Sequence, residues 1–188
     1  MYSLSKNRTI IIFLIKFFAT YFILTGIYSV YLSKTQIKTD VFSCAPITRQ
    51  VAEHVKTAAL ILGFDAEVQQ SETEMSIHFL LNGQHVINVV EGCTSVSIII
   101  LFLAFIIAFK GDLKDTFFFG IFGIVTIYLV NILRIFFIAA IYQKYPQHRI
   151  FIHDLLFPSI IYGYIFILWI IWVQFFSHYK ELKNVKEK

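Results

Sequence analysis

The stretch EGCTSVSIIILFLAFIIAF, Glu91 to Phe109, decides how this chain is read. Small and polar residues, Gly92-Cys93-Thr94-Ser95, follow Glu91 and lead into a run without a single charge up to Phe109. A helix on the surface of a soluble protein keeps a polar face over such a length, so the natural solvent of this run is lipid. A thiol therefore stands at the mouth of a membrane segment.

Three further apolar runs frame it, Ile10 to Leu32, Phe117 to Tyr142 and Leu155 to Ser177. Crossing the hydrocarbon takes about 20 helical residues. The expected fold is an all-α polytopic membrane protein with about four transmembrane helices, at 10–32, 95–109, 117–142 and 155–177. The second run is short unless its helix begins near Cys93, which would set the cysteine in the terminal turn at the interface. Between the first and second spans, residues 33–92 form a small extracytoplasmic cap. The whole of 1–188 reads as one membrane domain without internal repeats or low-complexity linkers.

Composition agrees. The 188 residues are 57% hydrophobic and 18% aromatic, with mean hydropathy +0.71, beyond what an ordinary soluble domain carries. The net charge of +4 does not point to nucleic acid, because the lysines flank apolar spans and no nucleic-acid fold motif is present. Two cysteines without a CxxC exclude a disulfide framework and give no support to zinc or dithiol redox chemistry. No metal or organic cofactor is called for.

Lysine and arginine in short flanks set orientation. Lys6 and Arg8 precede the first span, Lys110 and Lys114 join the second to the third, and Lys180, Lys183, Lys186 and Lys188 follow the fourth. Four crossings put these flanks on one side, the cytoplasmic one, and Ser33–Thr94 and Gln143–Asp154 outside. The first run exceeds the apolar core of about 7–15 residues typical of a signal peptide and lacks an A-x-A site, so it reads as a retained anchor.

Within the cap, Val51, Val55, Ala58, Ala59 and Leu62 recur at helical spacing, and Gly63 is placed to stop that helix. Met75–Leu81 and His85–Val90 flank Asn82-Gly83, a hairpin signal. The second strand runs toward Glu91 and Cys93.

Cys93, Arg134 and His153 fall on the outer side together. Cys93 alone is compatible with an ordinary small apolar residue. At a helix N-terminus near a cation, its thiolate is favoured. Arg134 lies eight residues before Tyr142, roughly 12 Å into the span. It either snorkels to headgroups or serves the site, since arginine inside a span costs on the order of 2.5–3.5 kcal/mol. Asn131, three residues earlier, shares its helix face and is placed to orient it. Glu91 is an alternative ion partner. His153, beside Asp154, suits proton transfer to a leaving amine, with His148 as competitor in the same loop. His54, His78 and His85 sit in the cap, and His178 is cytoplasmic. Cys44 is also outside, where pairing with Cys93 would block thiolate chemistry.

The ordered set Glu91-x-Cys93, Asn131-x-x-Arg134 and His153 resembles the exosortase/archaeosortase family. Ile47-Thr48-Arg49-Gln50-Val51-Ala52 with Leu60–Phe64 resembles the family's outer helix, and His153-Asp154 followed by Gly163 is similar to its last span. Size and pattern resemble the short exosortase F branch of Bacteroidetes. One departure stands at Ser95, where many members have glycine. The resemblance implies a cysteine peptidase or transpeptidase of the bacterial inner membrane, its site facing the periplasm. It implies Cys93 as nucleophile, Arg134 as electrostatic stabiliser and His153 as acid/base, supported by Glu91, Asn131 and Asp154. The implied partners are exported proteins with a C-terminal tripartite signal, membrane lipid, and a polysaccharide- or lipid-linked acceptor. The rival reading is a non-enzymatic membrane subunit of an envelope or polysaccharide export assembly, in which Cys93 is structural.

Overall fold

A computed structural model describes residues 2–38, 42–109, 111–148 and 157–176. The helices are α1 (Tyr2–Thr35), α2 (Pro46–Ile61), α3 (Val96–Ala108), α4 (Leu113–Lys144) and α5 (Phe157–Ile171), the last continuing as a π-helical segment, Trp172–Phe176. The strands are β1 (Ile37–Lys38), β2 (Phe42–Ser43), β3 (Ala66–Gln70), β4 (Ile77–Leu81) and β5 (Gln84–Val89). Three helices are long and apolar enough to cross a membrane, at Ile10–Thr35, Leu113–Lys144 and Pro158–Phe176. This is a membrane protein, mostly helical, with two small antiparallel sheets among the described residues, β1-β2 and β3-β4-β5.

The second apolar run falls within a residue of the expected 95–109, but Cys93 does not lie at its first turn. Helix α3 begins at Val96, not near Cys93, and has 13 residues, about 20 Å at 1.5 Å per residue, short of a hydrocarbon core of about 30 Å. Ser95 sets that start. Its φ of 62° lies in the left-handed region, which an α-helix cannot include. Cys93 instead closes a single 3-10 turn, Glu91–Cys93, so it is not part of the α3 first turn.

The chain divides into two compact units. One comprises 1–28, 96–127 and 163–188. Its interior is aromatic: Phe13 meets Phe105 and Phe109 edge-on, with centroids 5.8 and 5.5 Å apart, and Phe105 stacks on Trp169 at 4.5 Å. Phe119 packs on Trp172 at 5.2 Å. Phe102 is fully buried against Gly123, where a Cβ would collide with the Phe102 ring. Glycine is thus required there by close approach.

The other unit comprises 29–95 and 128–162. Its core joins α2, the inward face of the sheet and the second half of α4, through Val51, Val55, Ala59, Phe79, Leu81 and Ile135, among others. The α2 stripe predicted from spacing is buried at Val51, Val55 and Ala59, while Leu62 at the helix end is exposed. Gly63, at φ 85°, terminates α2. Phe64 N–H reaches the Ala59 carbonyl at 3.0 Å and Gly63 N–H the Leu60 carbonyl at 3.0 Å, the paired bonds of a Schellman cap.

The Asn82-Gly83 turn has both residues at positive φ, 50° and 74°, as a two-residue hairpin of matching twist requires. It joins β4 and β5 in antiparallel register. The sheet has one strand more than the expected hairpin: β3 adds antiparallel to β4, giving the order β3-β4-β5. Ile77, Phe79 and Leu81 point into the core.

Candidate active site

β5 delivers the chain directly into the turn that carries Cys93. Cys93 N–H donates to the Val90 carbonyl at 2.8 Å, and Thr94 N–H to the Glu91 carbonyl at 3.1 Å. The Thr94 hydroxyl donates to the same Glu91 carbonyl at 2.9 Å. These bonds hold Cys93 between a strand end and a left-handed Ser95. Its side chain is half-buried and its thiol is free.

The second half of α4 meets this turn, and both belong to the same unit. Asn131 is completely buried. Its Nδ2 donates to the main-chain carbonyl of Cys93 at 2.7 Å. Its Oδ1 accepts from Nη1 of Arg134 at 3.2 Å. The i, i+3 spacing puts both polar side chains on one helix face, and the Asn131 amide is engaged at both ends. The Cys93 thiol and the Tyr162 phenol stand within electrostatic range of the guanidinium. The structure therefore brings Cys93, Asn131 and Arg134 together from segments far apart in sequence.

Glu91 opens the turn and is half-buried. Its charge also reaches Cys44, a buried cysteine that is likewise free, so the two cysteines are not joined. Burial pushes the Cys44 thiol up, a hydrogen bond from Gln70 opposes this, and Glu91 adds to the rise. The Gln70 amide lies 3.7 Å from the sulfur. Residues His153 and Asp154 lie outside the described residues. His148 ends a short 3-10 turn, Pro146–His148.

Two contacts lay beyond the reach of sequence reading. His54 on α2 shares a 2.7 Å hydrogen bond with the Tyr128 hydroxyl, their rings edge-to-face. Tyr128 precedes Asn131 by one turn of α4, so this bond ties α2 to the helix that grips Cys93. Gln143, farther along α4, donates to the Leu81 carbonyl at 2.9 Å and accepts from Asn82 at 3.2 Å. These bonds fasten the hairpin tip to the same helix. The only available sequence signal was the 3.6-residue periodicity of Tyr128, Asn131 and Ile135.

The chemistry open to this arrangement follows from the groups present. A half-buried thiol within electrostatic range of a guanidinium supplies a nucleophilic sulfur and a fixed cation that can stabilise a developing oxyanion. Among the described residues, no group of three or more His, Cys, Asp or Glu side chains gathers to hold a metal ion.

A family model described as transmembrane exosortase matches residues 18–176. A curated relative described as probable archaeosortase E, from Methanocaldococcus jannaschii, is 26% identical over 114 residues. The match covers 61% of this chain and 61% of the relative, so the chain spans less than two thirds of that protein's length. No solved structure matches.

Proposed function

The chain belongs to the transmembrane exosortase family, and from that membership we propose that it is a membrane-embedded cysteine peptidase or transpeptidase acting on C-terminal sorting signals of exported proteins. The observation that carries this reading is the bond from Asn131 to the Cys93 carbonyl, with Arg134 held by the same amide. It supports a nucleophile and a cation maintained in one constellation.

In the proposed reaction the Cys93 sulfur attacks the scissile carbonyl carbon of the bound signal. Arg134 stabilises the oxyanion that forms. The carbon–nitrogen bond then breaks, and the departing amine takes its proton from His153, the role that the family resemblance gives it. The remaining thioester passes to water, giving hydrolysis, or to an amine or hydroxyl acceptor, giving transfer. Polysaccharide- or lipid-linked acceptors fit the second route. The basic flanks support a site on the periplasmic side of the inner membrane.

The test is mass spectrometry of a tripartite-signal substrate co-expressed with wild type, Cys93→Ala or Cys93→Ser. Loss of the C-terminal signal with wild type alone is expected, and any added mass identifies the acceptor. Equal processing by all three proteins would remove Cys93 as nucleophile and favour the assembly-subunit reading.

A further inference from the structure

The hairpin carries a histidine pair that the proposed chemistry does not use. His78 on β4 and His85 on β5 lie on the side opposite the buried Ile77, Phe79 and Leu81. Their ring centroids are 4.7 Å apart and the planes are inclined at 49°. His78 pairs with Asn88 and Leu80 with His85, across a register shift between Phe79 and Leu80. In a regular strand, residues three apart point to opposite faces. The bulge returns His85 and Asn88 to one face, and His85 Nε2 sits 2.7 Å from Asn88 Oδ1.

That bond has a chemical consequence. An amide oxygen only accepts, so Nε2 is the donor in this bond and Nδ1 is the ring nitrogen placed to meet a ligand. A histidine that donates one ring N–H to a fixed acceptor while presenting the other nitrogen is the usual arrangement of a metal-ligating imidazole. Metal–nitrogen bonds of about 2.0–2.1 Å put two tetrahedral ligand nitrogens about 3.3 Å apart. Rings with centroids at 4.7 Å reach that separation by rotating about their side-chain torsions, without moving the strands.

We propose that His78 and His85 form a two-imidazole site for a divalent transition cation of the zinc, nickel and copper class, oriented by Asn88. Imidazole nitrogen selects these borderline ions over magnesium and calcium, which take oxygen ligands. In such a two-imidazole site water fills the other coordination positions, so the bound ion is exchangeable. The site is separate from the proposed thiol chemistry and stands independently of it.

The experiment is calorimetric titration of Ni2+ into the full chain in detergent micelles, with any affinity tag removed. One site per chain is expected. His78→Gln and His85→Gln should each weaken it by more than about tenfold, and Asn88→Ala by about tenfold, the lower end of what outer-shell partners contribute. Cys93→Ser should bind Ni2+ like wild type. Circular dichroism checks that the variants fold, and His85→Gln and Asn88→Ala, at exposed positions, decide the matter if His78→Gln does not. Absence of Ni2+ binding to wild type, or binding indifferent to these substitutions, overturns the proposal.

Discussion

Asn131 grips the main-chain carbonyl of Cys93 at 2.7 Å, although 38 residues separate them. The same amide accepts from Arg134 at 3.2 Å. One buried side chain thus holds the cysteine turn and steadies the cation. Because the bond goes to the Cys93 backbone and not its sulfur, the thiol stays available.

Asn131→Leu keeps the approximate volume and removes both hydrogen-bonding ends. Leaving a buried carbonyl and an arginine without these bonds costs about 1–3 kcal/mol, read as a lower thermal midpoint in detergent. Substrate processing should fall by about tenfold or more, since a displaced nucleophile loses its near-attack geometry. Asn131→Asp retains the acceptor for Arg134 but not the donor to Cys93. Processing at the wild-type rate by Asn131→Asp would show that the Cys93 bond is dispensable.

Ser95 gives the opposite sign. Its φ of 62° costs about 1–2 kcal/mol for an L-residue, and glycine adopts the same conformation freely. Part of the gain is offset by the greater chain entropy that glycine loses on folding. Ser95→Gly should therefore stabilise the protein by about 0.5–1 kcal/mol and leave processing intact, whereas Ser95→Val should destabilise it. A lower melting midpoint for Ser95→Gly would show that the serine side chain matters more than its backbone.

Legibility in the sequence followed the range of the physics involved. Apolar runs, the α2 stripe ending at Gly63 and the Asn82-Gly83 hairpin rest on local periodicity and turn chemistry, and all three are present. The Asn131–Arg134 face was legible because three residues of helix bring those side chains together. Strand β3 was not read: Ala66-Glu67-Val68-Gln69-Gln70 offers two apolar positions, too few to declare alternation. That Cys93 lies outside the first turn of α3 escaped because Ser95 adopts its left-handed backbone within a folded turn, and serine itself carries no signal for it. His54 and Tyr128, 74 residues apart, meet only through packing of α2 on α4.

Gly123 tests the aromatic interior of the other unit. Mid-helix glycine costs about 1 kcal/mol relative to alanine, so helix propensity alone predicts that Gly123→Ala stabilises α4. The added methyl collides with the buried Phe102 ring, and overpacking costs about 1–3 kcal/mol. The collision should win, and Gly123→Ala should melt earlier than wild type. Adding Phe102→Leu makes room, so the double variant should be more stable than the sum of the two single effects. Strict additivity would mean that the two side chains do not meet.

Cys44 supplies a pH dependence whose sign is set by burial. Burial, the largest cause, raises its thiol above the ordinary value, the Gln70 bond opposing and Glu91 reinforcing. A group whose proton is held more tightly in the folded state contributes stability in full below its unfolded value. That contribution is lost as pH rises through the folded one, because the unfolded chain ionises first. Denaturant midpoints should thus fall on moving from pH 8 to the alkaline side of an ordinary thiol, near ~8.5–9, and Cys44→Ala should show a shallower fall. Alkylation gives an independent check. At neutral pH the half-buried Cys93 should be labelled first, and Cys44 only under conditions that open the cap. Equal labelling of both cysteines in the folded protein would contradict a buried Cys44.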